Sequence, residues 1–263
     1  MTTTLHEWDA SAYERLSEPQ FEWGKRVLAR FTPGIDDTVI DAGCGSGRLT
    51  ALLATKVPHG HVLAVDRSEN MIAEARTRLT ELGERVSFVC ADLATFVVEE
   101  PVDGVFSTAT FHWVMDHDRL FASVRACLRP GGQLVAQCGG EGNLRVFDAH
   151  VERVYREAPF WSWFDGFEPC WNFQGPDATA DRLRFSGFSD IACALEHAPT
   201  PFADEVTFRA FLRVVVLRAH LARLPDEERR EAFLDSVIAS VAKDGPLALD
   251  YVRLNISARV SVV

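Results

Sequence analysis

The sequence predicts an α/β fold built on a doubly wound, mostly parallel sheet. Short apolar runs alternate with helix-length amphipathic segments through the first 140 residues, which is typical of parallel strands joined by crossover helices. The first of these runs ends in closely spaced glycines. With 263 residues and 47 % hydrophobic side chains, the chain can bury a core of its own.

The predicted strands and helices alternate regularly before residue 140 and less regularly after it. Five strands are predicted in the first part, at residues 38–42, 62–66, 86–90, 104–107 and 133–137. The helices predicted between them cover residues 48–56, 68–82 and 117–128. Two further strands, at 189–196 and 248–260, complete a seven-stranded sheet, with helices predicted at 204–224 and 226–242.

These elements predict a single domain over residues 1–263. Its parts are an N-terminal helical lid at 1–34, a ligand-binding core at 35–138, and cap insertions at 139–188 and 198–247. The last helix is the best delimited, because acids stand at its start and Gly245-Pro246 stops it.

Charge and cysteine content narrow the functional classes. A net charge of −11 and a pI near 5.2 argue against a nucleic-acid partner, which clustered basic side chains would bind. The six cysteines are scattered without C-x-x-C or zinc spacing, so we expect reduced thiols. No signal-peptide pattern opens the sequence, and no apolar run approaches the ~20 residues of a bilayer span. We expect a cytoplasmic protein without a membrane partner; the oligomeric state is left open.

The strongest site candidate is the glycine-rich turn after the first strand, Asp41-x-Gly43-x-Gly45-x-Gly47. Glycines permit positive φ and let backbone amides approach a ligand closely. A dinucleotide fingerprint is excluded because its last glycine position holds Arg48, and the G-K-[ST] of a phosphate loop is absent. The turn suits a ligand with a ribose and an amino-acid group but no phosphate. An ordinary tight turn is the alternative.

A carboxylate follows the second strand at the place where ribose is bound in related architectures. Asp66 lies about 20 residues beyond the glycines and could accept hydrogen bonds from both ribose hydroxyls. Its alternative role is to cap the next helix, which Ser68 could also do.

Taken together, the ordered motifs resemble class I S-adenosylmethionine-dependent methyltransferases across residues 35–138. They are the glycine turn, Asp66, Ala91-Asp92-Leu93, and Leu128-Arg129-Pro130-Gly131-Gly132. The resemblance implies a Rossmann-like fold and S-adenosylmethionine as cofactor, with its methionine end at the turn and Asp41, its ribose at Asp66 and its adenine amine at Asp92. The full predicted cofactor set is Trp8, Tyr13, Asp41, Gly43, Cys44, Gly45, Gly47, Asp66, Arg67, Met71, Ala91, Asp92, Leu93 and Thr108.

More narrowly, three segments resemble the trans-aconitate methyltransferase group, which methylates carboxylates of small acids. They are Trp8-Asp9-Ala10-x-x-Tyr13, residues 110–117, and Gly139-Gly140-x-Gly142-Asn143. The resemblance implies O-methylation of a small carboxylic acid, with the N-terminal segment folding over the cofactor. Trp8 and Tyr13 would then be lid residues, although plain packing is equally compatible with their pattern.

His112 is the candidate general base, since it follows the fourth strand. A carboxylate acceptor would need no base, whereas a hydroxyl or amine often would. His112 could also simply pack over the sheet edge. The cluster of His112, Asp116, His117 and Asp118 could suggest a metal site, but two of these four residues are expected to begin a helix as cap and first-turn residues, so no metal is expected.

Predicted acceptor contacts are aromatic. Phe111, Trp113, Trp161 and Trp163 are the candidates, and the segment 160–173 either walls a pocket or packs as core. An acidic acceptor should meet a guanidinium, for which the candidates are Arg145, Arg153, Arg213 and Arg218.

Two other functions stay open. One is methylation of a hydroxyl or amine on a hydrophobic metabolite; the other is cofactor binding without transfer. Methylation of DNA is disfavoured because Ser107-Thr108-Ala109-Thr110 stands where such enzymes carry an Asn-Pro-Pro-Tyr type of motif.

Overall fold

The computed structural model describes residues 18–168 and 170–262. Its strands are β1 (Thr38–Ala42), β2 (His61–Asp66), β3 (Val86–Cys90), β4 (Val102–Thr108), β5 (Leu128–Gly139), β6 (Phe188–His197), β7 (Thr200–Pro201), β8 (Ala248–Leu249) and β9 (Val252–Val260). Its α-helices are α1 (Glu18–Arg30), α2 (Arg48–Lys56), α3 (Glu69–Arg78), α4 (His117–Cys127), α5 (Arg145–Tyr155), α6 (Pro176–Phe185), α7 (Glu205–Phe211), α8 (Arg218–Leu221) and α9 (Glu227–Asp244).

Seven of the strands form one sheet in the order β3-β2-β1-β4-β5-β9-β6. Neighbours from β3 through β5 pair in parallel, whereas β9 lies antiparallel between β5 and β6. The predicted doubly wound, mostly parallel seven-stranded sheet is therefore confirmed. The carboxyl ends of the parallel strands meet at one edge, where such sheets bind ligands.

The chain departs from the predicted elements mainly in its second half. The last strand begins at Val252, because Ala248–Leu249 pairs instead with Thr200–Pro201 in a separate ribbon. Between these strands Asp250 turns away and accepts the backbone N–H groups of Val146 and Phe147 at the start of α5. The helix predicted at 204–224 is divided by a π-helical segment, Leu212–Val216.

Side-chain caps mark several helix starts. Ser68 caps α3 by accepting the N–H of Met71, and Asp116 caps α4 by accepting that of Arg119. Asp226 does the same for α9 through Arg229. Each cap satisfies a backbone donor that the helix itself leaves without a partner.

Apolar clusters cover both faces of the sheet, and another fills the cap. One face packs Ile40, Val105 and Phe121, and the other packs Phe31, Val62 and Phe106. The cap cluster joins α5, residues 160–164 and the helices α7 to α9. No helix in the described residues has the length and apolar character of a membrane span.

Candidate functional site

A cavity of about 810 Å³ lies where the carboxyl ends of the parallel strands meet the cap. On the sheet side its lining includes Gly43 and Gly45 after β1, Asp66 at the end of β2 and Thr108 at the end of β4. On the cap side it reaches Val216. The volume is that of a site for a small organic ligand.

The glycine turn lines this cavity with a backbone conformation that residues with side chains rarely adopt. Gly43 and Gly45 have φ values of +84° and +53°. A Cβ on Gly43 would lie 2.0 Å from Oγ1 of Thr110, whereas one on Gly45 would meet no atom within 4 Å. The space beside Gly45 is therefore open to a ligand that approaches the backbone.

Asp66 lines the cavity and is attached to the glycine turn. Its Oδ2 accepts the N–H of Gly45 at 3.0 Å, and its Oδ1 accepts the N–H of Ser68 at 2.9 Å. Burial raises the pKa of Asp66, and these two backbone hydrogen bonds oppose that shift. Each carboxylate oxygen can accept a further hydrogen bond, so Asp66 keeps acceptor capacity for donors in the cavity. Ser68 rather than Asp66 caps α3.

A second carboxylate follows β3 at the same edge. Asp92 lines the cavity, and its Oδ1 accepts the N–H of Ala94 at 2.9 Å. The other predicted cofactor residues that line the cavity are Arg67, Met71, Ala91, Leu93 and Thr108.

Asp41, Cys44 and Gly47 are not among the described residues that line the cavity, so their predicted ligand contacts stay predictions. Asp41 is 2 % exposed, and its Oδ2 accepts the hydroxyl of Thr50 in α2 at 2.6 Å. Burial raises the pKa of Asp41 to about 7, with the nearby Asp66 adding to the effect and the Thr50 hydrogen bond opposing it. Gly47 packs close to Ala75 of α3, so these residues shape the turn from behind.

His112 lies in the cavity wall, in a short 3₁₀ turn after β4. Its Nδ1 accepts the backbone N–H of Gly139 at 3.2 Å, and its carbonyl accepts the N–H of Asn172 at 2.7 Å. Burial lowers the pKa of His112 well below its usual range, and the charge of Arg253 lowers it further. The imidazole is therefore neutral at physiological pH.

Aromatic rings wall the cavity beside His112. Trp113 meets Trp171 edge to face at 6.1 Å between ring centroids, and Trp171 stacks on Phe173 at 5.8 Å. Phe167 and Tyr251 extend this wall. The segment 171–174 is held against the sheet by hydrogen bonds of Asn172 to His112 and of Glu141 to Gln174.

Three of the four predicted acceptor residues are not among the described residues that line the cavity, so their acceptor contacts stay predictions. Phe111 is 1 % exposed and packs edge to face on Phe121 in the core, and Trp161 is 61 % exposed to solvent. Trp163 packs against the cap cluster, and its carbonyl accepts a hydrogen bond from Arg223. Of the four, Trp113 alone is a described lining residue, because the short turns at 111–113 and 161–163 each aim neighbouring rings in different directions.

The cationic side chain buried at the cavity is Arg253, which the sequence analysis did not consider. It is 3 % exposed, lines the cavity, and lies over the ring of Trp23 at 4.8 Å. The arginines that were considered, Arg145, Arg153, Arg213 and Arg218, do not appear in the described lining. The available signal in the sequence was a charged residue between two apolar ones, Val252 and Leu254.

Trp8 and Tyr13 lie outside the described residues, so their predicted lid roles stay predictions. Asn143 is a further lining residue that the motif Gly139-Gly140-x-Gly142-Asn143 contained without an assigned role. No group of three or more His, Cys, Asp and Glu side chains suited to a metal occurs among residues 18–168 and 170–262.

Comparison with known families and curated relatives points to methyl transfer. Residues 39–132 match a family model described as a methyltransferase domain. Trans-aconitate 2-methyltransferase of Acidovorax ebreus is 36 % identical over 133 residues, which cover 51 % of this chain and 50 % of that protein. The same-named protein of Variovorax paradoxus is 29 % identical over 273 residues, covering 98 % and 97 %. The chain thus spans about half the length of the relatives it matches at higher identity.

Solved structures show the same fold at low identity. Phosphoethanolamine N-methyltransferase 2 of Haemonchus contortus, in complex with phosphomonomethylethanolamine and S-adenosylhomocysteine, matches with a TM-score of 0.60 and 20 % identity over 97 % of this chain and 57 % of that one. The [4+2]-cyclase SpnF matches with a TM-score of 0.58 and 20 % identity, covering 92 % and 81 %. These structures support the fold; the chemistry must be argued from the site.

Proposed function

We propose that this chain, which carries a methyltransferase domain of the class I S-adenosylmethionine-dependent type, methylates a carboxylate of a small molecule. The observation that carries the proposal is the chemical contrast within one cavity. Asp66, Asp92 and the glycine turn line one part, while Arg253 is buried in another part with aromatic rings around it.

The first part of the cavity fits S-adenosylmethionine by its donor and acceptor chemistry. The carboxylate of Asp66 would accept the ribose hydroxyls, and that of Asp92 the adenine amine. The open space beside Gly45 would admit the amino-acid end against the backbone. When bound, the cofactor supplies a methyl group on a sulfonium sulfur, which keeps the electron pair of the broken carbon–sulfur bond as an uncharged thioether.

The second part fits the acceptor. A carboxylate is already ionised near pH 7, so its oxygen can bond to the methyl carbon without losing a proton to a base. The guanidinium of Arg253 would bind such an anion, and its burial strengthens that interaction. The proposal also agrees with the names of the curated relatives.

The walls of the cavity would accelerate the reaction by orienting the acceptor toward the methyl group. Aligning the acceptor oxygen with the methyl group can contribute ~7–11 kcal/mol. The rings of Trp113, Trp171 and Phe173 provide a rigid apolar surface for the body of the acceptor.

Charge and thiols suggest where this reaction occurs. A net charge of −11 disfavours nucleic acid as the methyl acceptor. None of the six cysteines, all of which lie in the described residues, forms a disulfide, which suits a reducing compartment such as the cytoplasm. The proposed acceptor is therefore a small acid of the cell interior.

The test is a screen with S-adenosylmethionine labelled in its methyl group. Purified protein is offered small carboxylic acids, phenols and amines of similar size, and products are identified by mass spectrometry. Labelled methyl esters are the expected products. Label found only in amines, ethers or macromolecules would contradict the proposal.

A second candidate, methylation of a hydroxyl or amine on a hydrophobic metabolite, is favoured by the aromatic wall alone. Cofactor binding without transfer is the third, and the fold of the [4+2]-cyclase shows that this architecture accompanies other chemistry. Binding of S-adenosylhomocysteine with no labelled product from any acceptor would favour that last reading.

A further inference from the structure

Three side chains surround Gly139 at the carboxyl end of β5. Gly139 donates its N–H to Nδ1 of His112 and pairs with Arg253 across the β5–β9 ladder. A Cβ on Gly139 would lie 3.2 Å from Nδ2 of Asn143. All three side chains line the cavity, and we call His112, Asn143 and Arg253 the donor cluster.

The backbone decides which nitrogen of His112 carries the proton. An amide N–H can only donate, so Nδ1 must be the acceptor in the bond from Gly139. A neutral imidazole then carries its proton on Nε2. Nε2 has no hydrogen-bond partner among the described residues, so its N–H is available to a molecule in the cavity.

The same logic orients Asn143. Its Oδ1 accepts the N–H of Val252 at 2.9 Å, which leaves Nδ2 as the donor end of the amide. The guanidinium of Arg253 has donors and no acceptor. The donor cluster therefore offers N–H groups only, one of them on a buried cation.

We propose that the donor cluster binds one carboxylate of the methyl acceptor, and that His112 acts there as a hydrogen-bond donor and not as a general base. This inference rests on the proposed function and narrows it to acceptors that arrive ionised. A base would need a free lone pair on the imidazole, yet that of Nδ1 is taken by Gly139 and Nε2 carries the proton. Hydroxyl and amine acceptors would leave the cluster without an anion.

The neutral state of His112 agrees with the geometry. Burial and the positive charge of Arg253 both oppose a proton on Nδ1, and His117 adds a smaller effect in the same direction. Burial raises the pKa of the Cys138 thiol, and the charge of Arg253 opposes that shift. The donor role should therefore persist across the physiological pH range.

Binding of matched probes to protein saturated with S-adenosylhomocysteine tests the subsite without turnover. We would titrate trans-cinnamate against cinnamamide, and hexanoate against hexanamide, by calorimetry. Each pair keeps its shape and loses its charge. At least one acid should bind, about tenfold or more tighter than its amide. Equal affinities within the pairs, or no binding of either acid, would overturn the proposal.

Variants of His112 separate a donor from a base. In His112→Gln the side-chain amide can replace Nε2–H, whereas His112→Leu has no donor. A donor role predicts cinnamate affinity within about threefold of wild type for Gln and a loss of about tenfold for Leu. A base role predicts instead that both variants lose kcat to the same extent. It also predicts that the kcat of the wild type falls at low pH while its affinity for cinnamate is unchanged. Circular dichroism would establish that both variants are folded.

Nitrogen-15 NMR of the histidine ring gives a readout independent of any ligand. The expected spectrum between pH 6 and 8 is that of a neutral ring protonated at Nε2. A ring protonated at Nδ1, or an imidazolium at pH 7, would refute the assignment.

Arg253→Met and Arg119→Met form a matched pair for the charge. Both arginines line the cavity, but Arg119 is exposed and pairs with Asp116. Only Arg253→Met should reduce discrimination between cinnamate and its amide, by about tenfold. Unchanged discrimination in that variant would exclude Arg253. If the wild-type protein did not bind S-adenosylhomocysteine at all, that result would instead count against the proposed function itself.

Discussion

The two ends of the cavity are assembled in different ways. The cofactor end comes from loops that each follow a parallel strand, so Gly43, Asp66 and Asp92 meet because the sheet brings their strands together. The proposed acceptor end joins His112, Asn143, Trp171 and Arg253, which lie on four separate segments after β4. Short motifs at strand ends can therefore describe the cofactor end, whereas the acceptor end depends on how distant segments pack together.

Variants that change one end of the cavity at a time can test whether the two ends are independent, and the largest effect is expected at the cofactor end. Gly45→Val should abolish binding of S-adenosylhomocysteine, because residue 45 has φ of +53° and the added side chain would occupy open space beside the turn. Gly83→Val is the matched control, since Gly83 has φ of +55° and equally open surroundings but does not line the cavity. Calorimetry should show affinity lost in the first variant and kept in the second. Normal affinity in a folded Gly45→Val would refute the turn as ligand site.

Asp66, which lines the cavity, and Asp41, which is buried behind the glycine turn, should differ in the same assay. Asp66→Ala removes a lining carboxylate and should weaken S-adenosylhomocysteine binding by about tenfold to somewhat over a hundredfold, or about 1.5–3 kcal/mol. Asp41→Asn keeps an acceptor for Thr50 behind the turn and should change affinity by less than about threefold. A larger loss from Asp41→Asn than from Asp66→Ala would reverse the assignment.

At the acceptor end, Gly139→Ala should act without touching the cofactor. Its Cβ would lie 2.5 Å from Cε1 of Phe173, so the ring must move in the wall beside His112. We expect kcat/KM for an accepted acid to fall by about tenfold to a hundredfold through misplacement. Affinity for S-adenosylhomocysteine should stay unchanged, and a parallel loss there would mean that the two ends are not separable.

The same difference explains why the sequence predicts the sheet and the cofactor end better than the acceptor end. The mostly parallel sheet was predictable because the alternation of strands and helices carries three-dimensional meaning. The strand-end position of Asp66 predicted that it lies at the edge of the sheet where ligands bind, and its role there stays a prediction. The position of Asp41 in the motif does not reveal that it accepts the hydroxyl of Thr50 in α2. Phe111 and Trp113 are two residues apart and alike in composition, yet one packs in the core and the other lines the cavity. Arg253 was missed because the β5–β9 register that puts it beside Gly139 joins distant segments.

The smallest expected effect concerns stability in the cap. Burial, together with the carboxylates of Asp250 and Glu152, raises the pKa of Asp148 in α5 to about 7. A carboxyl group with such a raised pKa binds more protons when folded than when unfolded between its ordinary pKa of 3.8 and about 7. Its ionised form therefore destabilises the fold above about pH 7, and the cost is relieved as the pH falls toward 3.8.

Asp148→Asn removes that charge, so its Tm should exceed that of the wild type by about 1–4 °C at pH 8.5, with a smaller gain at pH 5. Comparing the two proteins at each pH cancels other titrations, including that of buried His220, whose pKa is lowered to about 3 and which destabilises the fold as the pH drops below 6.5. Asp250→Asn is the contrasting variant, because Asp250 accepts the N–H groups of both Val146 and Phe147. Its Tm should fall, since an amide offers one acceptor where the carboxylate offers two. Scanning calorimetry at both pH values decides the matter: a gain for Asp148→Asn that is equal at pH 5 and 8.5 would show that the charge is not its cause.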